Sequence, residues 1–255
     1  MTGLEIRFPG CQINGRFPDA GIVPGLYVVK DGWTGWDGGV PGRREAIARP
    51  GEHGEFDLPV LRGARTISLN GVAVARDAHT LDRLCEQVAG VGADGSRFVM
   101  TVRSRGSERW ARARTITSDC VDAGVRSGWL RARFTIELVC ADPRRFGTLR
   151  EVSGASVQVS QRGNFPAAPT VLVEGPVDAP YTVSGPGGRA FQVTQSLTAS
   201  QSHVIDFRHG RVSRNGTPQS GVIGRADTWS IPPGRQVPMS IDRGAMTVQV
   251  ADTYI

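Results

Sequence analysis

The chain has 255 residues, of which 39% are hydrophobic and 21% charged, and a formal net charge of +6. These values exclude wholesale disorder and leave room for one large β domain or two of ordinary size. No apolar run reaches membrane-spanning length, and the N-terminus MTGLEIRFPG lacks the layout of a signal peptide, so the sequence predicts a soluble chain folded in a cytoplasm.

Glycine (33) and proline (16) are spread along the whole chain, which favours short strands joined by turns. Residues 1–60 read as loop-rich. Within them, Asp31 to Gly39 carries Trp33 and Trp36 on poorly periodic, glycine-rich sequence. Two readings stand side by side. Either the tryptophans fill local gaps under an ordinary loop, or they are oligomer-interface anchors on an arm that docks on a neighbouring protomer. Ile67 to Val74 reads as a hairpin, because Asn70-Gly71 favours a type I′ turn that would pair Leu69 with Val72. A helix is predicted over 78–89, where Leu81, Leu84, Cys85 and Val88 recur at helical spacing, Asp77 or Thr80 can cap, and Gly90 stops it. Phe98, Met100 and Val102 alternate inward on a strand, and a second strand runs around Trp110 to Thr117.

From Leu130 to Cys140 every even position is apolar, the pattern of a long strand with one buried face. Asp142-Pro143 ends it, since proline supplies no ladder donor and restricts its predecessor. Beyond this stop the pattern changes to shorter strands, centred on Val157/Val159, Val171/Val173, Tyr181/Val183, Phe191/Val193, Val204 to Phe207, Trp229/Ile231, Val237 to Ile241 and Met246 to Val250. Turn signals such as Gly163-Asn164, His209-Gly210 and Asn215-Gly216 separate them, which predicts an antiparallel sandwich. The boundaries are therefore set at 1–147 for an N-terminal β domain with one packed helix and 148–255 for a β-sandwich. Asp142, Pro143, Gly163 and Asn164 mark the junction, and Pro143 to Gly163 is the expected crossing.

Chemistry is sparse. Cys11, Cys85, Cys120 and Cys140 show no CxxC or metal-finger spacing and read as buried free thiols. His203 and His209 flank Asp206, but without a third clustered ligand they read as surface hairpin histidines. No nucleophile elbow, HExxH helix or phosphate loop occurs, and the carboxylates are too scattered to nominate an acid/base pair. No catalytic residue, cofactor or metal is expected. The positive charge is almost all arginine, with Lys30 the sole lysine and no block of five like charges. Arg112/Arg114 and Arg131/Arg133 each put two charges on one strand face, suited to acids on a neighbouring subunit or to phosphate, but nothing in the pattern supplies sequence-directed readout of nucleic acid.

The segment Cys140-Ala-Asp-Pro-Arg-Arg-Phe-Gly, followed by Gly163-Asn-Phe-Pro-Ala-Ala-Pro-Thr-Val-Leu-Val-Glu-Gly, resembles the distal tail (Dit) proteins of siphoviruses, often called minor tail proteins. Gly63-Ala-Arg-Thr-Ile, the run from Ile205 to Gly216, and Trp229-Ser-Ile-Pro-Pro-Gly extend the resemblance to the C-terminus. It implies a tail-tube-like N-terminal β domain that closes a homohexameric ring and a galectin-like C-terminal sandwich projecting outward. Such a ring joins the tail tube to the tail tip or baseplate, surrounds the end of the tape-measure protein, and lets DNA pass through its lumen in ejection. The arginine usage matches a phage of a GC-rich host such as an actinobacterium. The rival expectation is a tail-tip carbohydrate- or receptor-binding module acting through the C-terminal sandwich, which calls for an exposed aromatic platform.

Overall fold

The computed structural model describes residues 3–15 and 21–255. The chain divides into two compact units: unit 1 runs to Arg145 and includes Ile255, and unit 2 spans Phe146–Tyr254.

Unit 1 contains β1 (Glu5–Phe8), β2 (Cys11–Asn14), β3 (Gly25–Thr34), β4 (Gly42–Arg43), β5 (Leu61–Arg62), β6 (Arg65–Ala75), α1 (Ala78–Ala89), β7 (Phe98–Ser104), β8 (Ser107–Arg126) and β9 (Trp129–Cys140). Seven strands follow the order β8-β7-β1-β2-β3-β6-β9, and β9 pairs back onto β8, so the sheet closes into a barrel. Closure gives most backbone groups a partner without an open edge. Every neighbouring pair is antiparallel except β2–β3, which meet in parallel at Asn14 and Tyr27. The alternating faces of these strands fill the interior: Ile6, Ile13, Ile67, Leu69, Met100, Ile136 and Leu138 are fully buried. Asp77 caps α1 by accepting from the Thr80 backbone N–H at 2.8 Å, and the helix lays Leu81, Leu84 and Val88 on the same core.

Several expectations for this half are corrected. The loop-rich N-terminal stretch contains β1–β3, whose four- and ten-residue strands bury Ile6, Ile13 and Leu26. Asn70-Gly71 forms no hairpin, and β6 runs straight through it in an unbroken eleven-residue register with β9, from Arg65↔Cys140 to Ala75↔Leu130. The glycine serves close approach instead. A Cβ on Gly71 would overlap the Phe134 ring and lie 2.6 Å from the Tyr27 carbonyl oxygen. Local turn chemistry loses here to a long ladder on each side. Of the four cysteines, Cys11 and Cys140 are free and buried, whereas Cys85 on α1 and Cys120 on β8 form a disulfide, their Cα atoms 5.5 Å apart. Residues 35 positions apart in sequence meet because α1 packs on β8. β8 also outruns the expected strand, continuing to a tight turn in which Ser127 and Gly128 both have positive φ.

Unit 2 continues with β10 (Arg145–Gly154), β11 (Ser156–Val159), β12 (Thr170–Glu174), β13 (Tyr181–Ser184), β14 (Ala190–Val193), β15 (Ser202–Asp206), β16 (Arg211–Arg214), β17 (Thr217–Pro218), β18 (Ile223–Ala226), β19 (Val237–Ile241) and β20 (Met246–Tyr254). One sheet runs β17-β16-β15-β12-β20-β10 and the other β11-β19-β13-β14-β18. Val171, Val173, Ile205 and Val248 from the first share one core with Tyr181, Val183, Phe191 and Val193 from the second. Asn215 and Gly216 take positive φ between β16 and β17, as a two-residue hairpin turn demands.

Three expectations change here. The stretch from Pro143 to Gly163 is mostly strand rather than a crossing, because β10 and β11 occupy it. Trp229/Ile231 forms no strand, only a single bridge from Ala167 to Ile231, since Pro232 and Pro233 have no N–H to extend a ladder. His203 is fully buried rather than on a surface. Its Nδ1 lies 2.8 Å from the Tyr181 hydroxyl and its Nε2 3.1 Å from Gln195 Oε1. Burial, with Arg214 nearby, pushes its pKa below the ordinary value, so the ring is held neutral. His209 behaves as expected, half-exposed and paired with Asp206 at 2.5 Å.

Candidate functional site

The sequence-predicted anchors sit in unit 1, and the structure gives them a different job. Trp33 is 6% exposed and Trp36 is 2% exposed, their rings 6.1 Å apart within the unit's own core. A buried indole presents little free face to a neighbour, which favours the gap-filling reading over the docking-anchor one. Gly35 makes the intervening bend. It has φ +82, and a Cβ there would collide with the Thr66 carbonyl oxygen.

Two buried arginines secure this bend. Arg65 lies in phase with Ile67 and Leu69 on β6 and points inward. Its Nη1 donates to the carbonyl oxygens of Gly35 (2.7 Å), Trp36 (2.9 Å) and Gly38 (3.0 Å), and its Nε donates to that of Pro143 at 3.0 Å. Arg145 Nη1 donates to the same Trp36 carbonyl at 2.6 Å, and Nη2 donates to Ile255 O at 3.2 Å. Its guanidinium also lies over the Trp36 ring. Burial, the neighbouring Arg65 and Arg109 together pull the Arg145 pKa down to about 10, while Asp37 works the other way. A buried guanidinium is tolerated only when its donors find acceptors, and here carbonyls of the bend supply them.

The expected junction residues fall in both units. Asp142 turns back on its own chain, accepting from Arg144 Nε at 2.8 Å and Nη2 at 3.1 Å, and Pro143 is held by Arg65. Gly163 and Asn164 lie in unit 2 against the end of β20. Asn164 N donates to the Thr253 carbonyl at 3.0 Å, and a side chain on Gly163 would collide with the Thr253 backbone. Asp252 beside them is held below the usual carboxylate range, chiefly by hydrogen bonds from Arg150 at 2.7 and 3.0 Å. Sequence reading assigned no role to Arg65 or Arg145. A charge in phase with Ile67 and Leu69 was the signal that could have exposed the first.

The exposed apolar surface is concentrated on unit 1. Ile47, Phe56, Val60 and Leu61 lie on residues 41–62, an arm in which every residue except the half-buried Leu58 is exposed. The arm closes on itself through β4–β5, the Ala48↔Glu55 bridge and the Arg44–Glu55 ion pair. A second group, Ile116, Val121 and Val125, lies on β8. In unit 2, by contrast, every aromatic ring is buried or half-buried. Among the described residues no group of three His, Cys, Asp or Glu side chains is placed to hold a metal ion, and no helix is long and apolar enough to cross a membrane.

In its fold the chain resembles the hub and baseplate components of bacteriophage tails. It is similar to the crystal structure of the Dit protein of phage SPP1, described as a paradigm of the hub adsorption apparatus in phages infecting Gram-positive bacteria, with a TM-score of 0.74 and 14% identity over 99% of each chain. It also matches chains of the phage P2 baseplate in its activated conformation, with TM-scores of 0.54 in the calcium form and 0.56 in the strontium form. Identities there are 7% and 8%, over 97% of each chain. No family model and no curated protein sequence matches the chain.

Proposed function

We propose that this chain is a distal tail protein of a long-tailed, non-contractile phage. Its reading is a homohexameric ring that connects the tail tube to the tail tip or baseplate, contacts the end of the tape-measure protein and lets DNA pass without sequence-specific binding. The likeness to the SPP1 Dit protein carries it, because that likeness extends over 99% of both chains and so takes in both units rather than one common β module. In this reading residues 1–147 form the ring, residues 148–255 form a galectin-like sandwich without implied lectin activity, and the protein is structural, resident in the virion. The phage of a GC-rich, actinobacterial host remains part of the same proposal on the arginine usage.

The glycan-binding alternative calls for an exposed aromatic platform, and in unit 2 no aromatic ring is fully exposed, Phe146, Phe165 and Tyr254 being half-buried and the others buried. Negative-stain images of the purified protein, alone and with its tail tube protein, test the connector directly. Six-membered rings capping tube ends are expected. A protein that stays monomeric in the presence of tube refutes the reading, and saturable binding on a glycan array would move the assignment to the alternative.

A further inference from the structure

We propose that Asn215 is a site of spontaneous modification, where the chain converts its own asparagine to aspartate or isoaspartate and so loosens one edge of unit 2. The proposal stands apart from the connector reading and needs no partner molecule other than water.

The sequence offers three Asn-Gly pairs, Asn14-Gly15, Asn70-Gly71 and Asn215-Gly216. Such a pair is reactive because glycine, having no side chain, lets its amide nitrogen swing toward Cγ of the preceding asparagine. The fold blocks the first two. Gly15 already donates its N–H to the Leu4 carbonyl at 2.8 Å. Gly71 is buried in register with Val28 on one side and Phe134 on the other, so its peptide cannot turn without breaking two ladders. Asn215 and Gly216, by contrast, are both exposed and both at positive φ in the turn between β16 and β17. The Gly216 N–H makes no hydrogen bond among the described residues. To free its nitrogen, only β17 must open, a two-residue strand at the outer edge of its sheet that pairs with β16 alone.

The electrophile is already held in place. Asn215 Oδ1 accepts from the Ser202 N–H at 2.9 Å and from the Ser202 hydroxyl at 3.4 Å, while Nδ2 reaches the Ser200 carbonyl only at 3.5 Å. Two donors on Oδ1 draw electrons from Cγ and stabilise the oxyanion that develops there. Hydroxide takes the Gly216 amide proton, the nitrogen bonds to Cγ, and the Cγ–Nδ2 bond breaks, releasing ammonia that takes its last proton from water. Water then opens the cyclic imide. Cleavage of the new Cγ–N bond gives aspartate. Cleavage at the Asn215 backbone carbonyl gives isoaspartate, with the main chain routed through Cγ. The extra main-chain atom does not fit a two-residue turn that pairs Arg214 with Thr217, and the tie from residue 215 to Ser202 is lost with the turn.

Peptide mapping of protein incubated at mildly alkaline pH tests this. In the folded chain the amide-to-acid mass change should be confined to the 215–225 tryptic peptide, with Asn14 and Asn70 intact. In urea all three asparagines should convert, which identifies the fold as the source of the selectivity. A folded chain that keeps the Asn215 amide while the urea-treated chain loses it overturns the proposal, as does conversion of Asn14 or Asn70 at the same rate. Isoaspartate-bearing chains, separated by ion exchange, should exchange backbone amide hydrogens faster than the parent in 200–202 and 211–219. Matching exchange in those segments overturns the loosening of the edge.

Discussion

Replacing Arg65 with methionine keeps the aliphatic stem but removes the guanidinium, and it should loosen unit 1 at the Trp36 bend. Four carbonyl oxygens lose a donor, of which Trp36 O keeps the 2.6 Å bond from Arg145. The other three, on Gly35, Gly38 and Pro143, are part-buried, and an orphaned buried acceptor costs about 1–3 kcal/mol, at the lower end where water can enter. Two effects oppose the loss. The desolvation of one buried cation disappears, and Arg145 is relieved of a like charge that helps push its pKa down. The balance is a destabilisation of about 3 kcal/mol. Urea unfolding followed by tryptophan emission measures it well, because Trp33, Trp36, Trp110 and Trp129 all belong to unit 1 and Trp229 alone to unit 2. Arg65→Lys should recover less than half of the loss, since one ammonium cannot fan out to four carbonyls. A methionine variant within about 1 kcal/mol of the parent would falsify the argument that these hydrogen bonds hold the bend.

Three further outcomes follow from the same kind of reasoning. His203 is held neutral below its ordinary pKa, so its contribution to unit 2 is fully present above about pH 6.5 and declines as pH falls through that value toward the depressed folded-state pKa. Urea midpoints of the Trp229 transition should fall across this window, and an unchanged slope in His203→Asn would exclude His203 as the source. Reducing Cys85–Cys120, or replacing both with serine, reopens a loop of 35 residues and should cost unit 1 about 3–4 kcal/mol on the chain-entropy estimate; a melting temperature indifferent to reductant would contradict it. Gly71→Val should destabilise by about 2–3 kcal/mol or more, because the side chain must displace the Phe134 ring, and solvent denaturation that finds it neutral would restore the hairpin reading.

Much of the architecture was written in apolar spacing. The even-numbered face from Ala132 to Cys140 is buried, α1 covers the periodic stretch at Ala78–Ala89, and most strands of unit 2 coincide with short apolar pairs between turn residues. What escaped detection has physical causes. β1 and β2 are four residues each, too short for a period to register, and β10 is a polar strand whose pairing depends on groups such as Arg150 and Asp252 instead of alternating apolar side chains. Asn70-Gly71 is locally a good turn, and only the ladders with β3 and β9 forbid it. The exposed apolar surface was the least legible. Trp33 and Trp36 drew attention as aromatics and proved internal, while Phe56, Leu61, Val121 and Val125 are scattered singly in sequence and become patches only in three dimensions.

The barrel wall is unevenly fastened. Between β6 and β9 eleven consecutive residue pairs hold the strands, and between β8 and β9 ten pairs do so, yet among the described residues β2 and β3 meet at the single pair Asn14↔Tyr27. A hoop made this way behaves like a bracelet with one clasp. Thermal opening will start at the clasp, while β6, β9 and β8 move as one stiff plate. The barrel can then open at β2–β3 while β6, β9 and β8 stay paired.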